Sequence, residues 1–128
     1  MAAITVSEIS RLVDGFYVKV REDAKIGPIF NASIKDWPRH LTLLKNFWSS
    51  VLLTTGTYQG DPIAIHVRLP LEKGHFERWL ALFAETATQL LSPQNAALVI
   101  GKSEDIARTF ELAIAHKRAN HCSSASHE

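Results

Sequence analysis

Three histidines of this 128-residue chain fall within apolar stretches: His40 shares a helical stripe with Leu44, Phe47 and Val51, His66 lies among Ile63, Ile65 and Leu69, and His75 precedes Phe76. An imidazole can ligate a metal or pass a proton near neutral pH. Tyr17 and Trp79 add a hydroxyl and an indole N–H, hydrogen-bond donors that remain useful when the rest of the ring is buried. The chain has no HExxH, no CxxC pair, no Walker A loop and no GxGxxG, so the common hydrolase and nucleotide-binding readings have no support. By periodicity alone these histidines and aromatics would more often be core residues than a site. The single cysteine, Cys122, cannot form an internal disulfide and lies in the polar end HCSSASHE, where an exposed thiol without a role is expected.

Helices must position these residues. Thr5 with Glu8 makes a capping box and Ile4 can staple onto Ile9, so a helix begins there; Ile9, Leu12, Val13, Phe16 and Val20 carry its apolar face to about Arg21, with Tyr17 beside it. The stretch REDAKIGPIF then turns polar and breaks at Gly27 and Pro28. A second helix starts at Asp36, tolerates Pro38 in its first turn, and carries Leu41, Leu44, Phe47, Trp48, Val51 and Leu52 before stopping at Gly56. Asp61 and Pro62 cap a short segment that Pro70 ends, long enough for about two turns and stable only by packing. A long helix spans Lys73 to Leu91 through Phe76, Trp79, Leu80, Phe83, Ala87 and Leu90. Ser92 and Pro93 cap the last, which runs to about Lys117 through Ala96, Val99, Ile100, Ile106, Ala107, Phe110 and Ala113, with Gly101 inside it. No strand, repeat or low-complexity tract is evident. The expectation is an all-α single domain over residues 1–128, with residues 121–128 a flexible tail.

Composition narrows the partners. An apolar share of 46% against 21% charged suits a globular protein that folds in water. Fourteen basic and thirteen acidic residues, dispersed rather than gathered into a stripe, argue against nucleic acid. The opening MAAITVSEIS lacks a charged and then apolar leader, and no segment approaches the roughly 20 apolar residues of a membrane span, so a cytoplasmic protein without membrane contact is expected.

The order of residues in FYVKVREDAKIGPIF, WPRHLTLLKNFWSSVLLTTGTYQGDP and IHVRLPLEKGHFERWLALF resembles the third group of truncated globins. The likeness covers roughly residues 7 to 118, and the absence of Gly-Gly hinges also suits that group. The resemblance implies a two-over-two helical sandwich around haem b. His66 matches the proximal histidine and iron ligand; His75 is the competing imidazole, read more simply as a surface residue at a helix start. Phe30 matches the aromatic pressing on the porphyrin after the first helix. Tyr17 and Trp79 match the distal polar pair and His40 the distal histidine, which could swing between pocket and solvent. Leu44, Phe47 and Trp48 match the apolar distal lining, and Arg68 could pair with a haem propionate or remain a solvated arginine.

The function that the resemblance implies is that of a haem protein binding oxygen, carbon monoxide and nitric oxide at the iron. Its strongly hydrogen-bonding distal pocket suits redox chemistry better than bulk oxygen transport. An alternative is an enzyme, a nitric oxide dioxygenase or a peroxidase, served by an external reductase because no flavin or nicotinamide domain is attached. A second alternative is a haem-free helical interaction module.

Overall fold

The computed structural model describes the backbone of residues 4–53 and 71–126, and the side chains of residues 4–53 and 71–117. Among them are five helices: α1 (Val6–Glu22), α2 (Gly27–Ser33), α3 (Trp37–Leu53), α4 (Lys73–Leu90) and α5 (Pro93–Ser126). No strand occurs among the described residues. The expected short helix between Pro62 and Pro70 lies outside them, as does the stop at Gly56.

α1 starts as its first four residues dictate. The Glu8 N–H donates to Thr5 Oγ1 at 3.1 Å, and the Thr5 N–H donates to the Glu8 carboxylate at 3.1 Å. Ile4 and Ile9 are both buried on either side of this box. The apolar face then buries Leu12, Val13, Phe16 and Val20 as their spacing predicts, and Tyr17 with them.

The turn after α1 departs from expectation. Gly27 and Pro28 do not break the chain but open α2, with Pro28 in the first turn, where its missing N–H costs no helical bond. Asp23 makes this possible, its Oδ2 accepting the backbone N–H groups of Lys25 and Ile26 at 3.0 Å each. Gly27 then folds back onto α1 so closely that a Cβ there would lie 2.9 Å from the Arg21 carbonyl oxygen and 3.0 Å from that of Val20. Asp23 Oδ1 also accepts from Arg78 Nε at 2.7 Å, which ties the turn to α4.

α3 begins behind Asp36, whose carboxylate accepts the Arg39 N–H at 3.2 Å. α4 and α5 are joined through Leu91 and Ser92 alone, so they form an αα-hairpin, and Ser92 Oγ accepts the Asn95 N–H at 3.3 Å. The backbone of α5 continues to Ser126, beyond the Lys117 that its apolar period marks.

α1 packs with α3, α4 packs with α5, and the two pairs meet where α1 crosses α4. This is the expected helical sandwich. Its main core gathers α1, Trp48 of α3, Leu82, Phe83 and Ala87 of α4, and Ala96 and Val99 of α5. Phe83 stacks on Trp48 at 5.1 Å and on Trp79 at 5.3 Å, and Phe16 meets Phe83 edge-on at 5.1 Å. Two polar residues inside this packing, Thr86 and Ser103, return their hydroxyls to the carbonyls of Leu82 and Ile100 at 2.7 Å each.

Candidate functional site

α1 buries its apolar face completely, whereas α3 does not. Leu44 and Phe47 are only half-buried, and the face they share with His40 borders a cavity. The cavity holds about 350 Å³. Its walls bring together Tyr17 of α1, Phe30 of α2, His40, Leu44, Phe47 and Trp48 of α3, and Trp79 of α4. Seven candidate residues scattered over four helices thus share one space. Trp48 is the most deeply placed, 2% exposed and stacked on Phe83, so it belongs to the core as well as to the wall. His66 and Arg68 lie outside the described residues.

Tyr17 and Trp79 form the polar element. The Trp79 indole N–H, which can only donate, lies near enough to the Tyr17 hydroxyl to favour its ionised form. Burial pushes the phenol up to about 12; the hydrogen bond from Trp79 works in the opposite direction and is outweighed. Tyr17 is therefore a protonated hydroxyl at any physiological pH. Its hydroxyl can donate that proton to an acceptor in the cavity. His40 stands edge-on to Tyr17, ring centroids 6.4 Å apart.

Two further wall residues are not legible from sequence as part of the site. His75, read as a surface residue at a helix start, is half-buried and reaches the cavity, and its Nδ1 accepts the Glu72 N–H at 2.9 Å. Phe76, read only as part of the apolar face of α4, lines the cavity beside it. The presence of an aromatic three residues before Trp79 is the available signal, since positions three apart share a helix face. Lys35 and Arg39 also border the cavity and supply basic groups to a largely apolar space. Among the described residues no cluster of three or more histidine, cysteine or acidic side chains is placed to hold a metal ion. No helix among them is long and apolar enough to cross a membrane.

Two helix pairs around an aromatic-walled cavity define a globin-type sandwich of the shortened, two-over-two class. No protein-family model matches the chain. It is 34% identical over 113 residues to the Group 3 truncated hemoglobin ctb of Campylobacter jejuni, an alignment that spans 84% of this chain and 89% of that protein. The crystal structure of the group III truncated hemoglobin from Campylobacter jejuni superposes with a TM-score of 0.83 over 89% of this chain and 94% of that one, at 34% identity. The truncated oxygen-avid haemoglobin from Bacillus subtilis superposes with a TM-score of 0.74 over 84% of this chain and 93% of that one, at 25% identity. The chain belongs to the group III truncated haemoglobins.

Proposed function

We propose that the cavity holds haem b, with His66 as the proximal iron ligand, and that the protein binds oxygen and other diatomic gases there. The observation that carries this reading is the wall itself: an apolar face left half-buried on α3, with one pair of coupled donors, Tyr17 and Trp79, in its depth. A flat aromatic macrocycle would complete the burial of the half-buried Leu44 and Phe47, and Phe30 would pack against it from α2. The cavity also carries Lys35 and Arg39, whose charges suit the carboxylates of such a group. Arg68 is a further candidate for that pairing.

His75 is disfavoured as the iron ligand by its own hydrogen bond. Because its Nδ1 accepts the Glu72 N–H, the proton of the neutral ring sits on Nε2, and an Nε2 that carries a proton offers no lone pair to a metal. His66 keeps the proximal role that the resemblance gives it; an imidazole that ligates through one nitrogen can donate from the other.

When bound, haem supplies an iron at which a diatomic gas is held. Phe30, Leu44 and Phe47 would exclude water from it, and Tyr17 would offer its hydroxyl proton, with Trp79 and His40 beside it in the wall. A hydrogen-bond donor so placed would retard the release of a gas that accepts from it. Such retention suits reaction of the gas better than bulk transport.

The test is haem uptake. Purified protein titrated with haemin is expected to develop a Soret band at one equivalent, and the reduced form to shift that band on addition of carbon monoxide. A chain that takes up no haem is the helical interaction module instead.

A further inference from the structure

Four side chains form a ladder between α1 and α3. Tyr17 and Arg21 lie one turn apart on α1, and Trp37 and His40 lie on one face of α3. The inner rung is the Tyr17–His40 edge contact at 6.4 Å, and in the outer rung the Arg21 guanidinium carbon stands 4.6 Å from the centre of the Trp37 ring. Trp37 also touches the inner rung twice, meeting His40 at 5.8 Å and an interplanar angle of 89°, and Tyr17 at 6.0 Å.

Trp37 is 8% exposed, although its neighbours Asp36, Pro38 and Arg39 are all exposed. Helix formation does not require a buried ring there, since Asp36 already caps α3. The ring instead closes the outer side of His40. His40 sits half-buried on the cavity wall, next to exposed residues of the first turn of α3, so it stands between the cavity and solvent. Moving it outward requires the Trp37 ring to yield, and that ring is held from the other helix by Arg21.

We propose that the Arg21–Trp37 stack is a latch that keeps the His40 ring beside Tyr17, and that the latch sets how readily a small ligand reaches the cavity between α1 and α3. Arg21 and Trp37 are positioning residues that act through His40. The placement of His40 stands on the geometry alone; the control of ligand access rests on the proposed gas-binding function.

The experiment uses the full chain with Arg21→Met, Arg21→Lys and Trp37→Leu. In haem-free protein the His40 ring resonances, displaced by the Trp37 ring current, are expected to move toward those of a solvated histidine in Arg21→Met and Trp37→Leu, and to stay near wild type in Arg21→Lys. In haem-loaded protein the carbon monoxide association rate after flash photolysis is expected to rise about two- to fivefold in the first two variants, the change that accompanies loss of an exposed cation–π contact. Arg21 is exposed, so Arg21→Met decides the matter even if Trp37→Leu fails to fold. Unchanged His40 resonances in Arg21→Met overturn the latch. Moved resonances with an unchanged association rate overturn its control of access. Moved resonances in a chain that takes up no haem leave the positioning of His40 standing and remove the gas-binding function.

Discussion

Trp79 on α4 and the buried Tyr17 on α1 act on each other at the cavity wall: the indole draws the phenol's proton affinity down while burial drives it up. The two side chains come from different helix pairs and line one cavity, so each influences what the other can offer a ligand there.

In the haem-loaded protein, Tyr17→Phe is therefore expected to raise the oxygen dissociation rate about tenfold or more, the scale of a hydrogen bond to a partly charged acceptor. Trp79→Phe raises it as well, and the double variant by less than the product of the two, because the pair is coupled. Stopped-flow displacement of oxygen by carbon monoxide measures all three. Strictly multiplicative effects would mean that the donors act separately.

Tyr17 also makes stability depend on alkaline pH. Its folded value of about 12 lies above the ordinary 10.0, so the contribution is fully present below pH 10 and is lost as pH rises through 12. The loss is on the order of 2–3 kcal/mol. Urea denaturation of the haem-free protein at pH 9 and above is expected to show this decline, and Tyr17→Phe to flatten it.

Asp23 behaves in the opposite sense. Burial raises its affinity for a proton, but the Ile26 N–H, the Arg78 guanidinium and the Lys25 N–H together outweigh burial and hold its carboxyl below the usual carboxylate value. Its contribution is thus present above that value and lost as pH falls through the lower, folded one. Asp23→Ala removes the acceptor for all three donors and is expected to cost about 2 kcal/mol at pH 7 by urea denaturation. Most of the difference from wild type should vanish in strong acid.

Two glycines give alanine substitutions of opposite sign. At Gly27 a Cβ would meet the backbone carbonyls of α1, which cannot move without unwinding the helix end, so Gly27→Ala is expected to lower the thermal midpoint. At Gly101, inside α5, a Cβ meets nothing within 4 Å, so Gly101→Ala is expected to stabilise by roughly 0.5–1 kcal/mol through helix propensity. Calorimetry of both variants beside wild type checks the pair.

Local signals are the legible ones. The Thr5–Glu8 box and the Asp36 cap are settled by hydrogen bonds within four residues, and both stand where the sequence places them. α2 escapes because Gly-Pro ends a helix in one setting and opens one in another, and the deciding group, Asp23, acts through a turn anchored by Arg78 far along the chain. On the site, Leu44 and Phe47 have the same spacing as core residues, and only their half-burial in the fold separates cavity wall from core. His75 is illegible for a related reason: its place before Phe76 says nothing of the Glu72 N–H that turns its ring. Trp37 is visible as part of Trp-x-x-His, but its contact with Arg21 joins helices that sequence alone does not bring together.

The central claim is that His66 holds haem iron in this cavity, and exchange of the ligand tests it most directly. His66→Gly protein is expected to retain haemin and give a carbon monoxide adduct of wild-type spectrum only when free imidazole is supplied, while His75→Gly needs none. Haem binding by His66→Gly without imidazole, together with its loss in His75→Gly, would contradict the account.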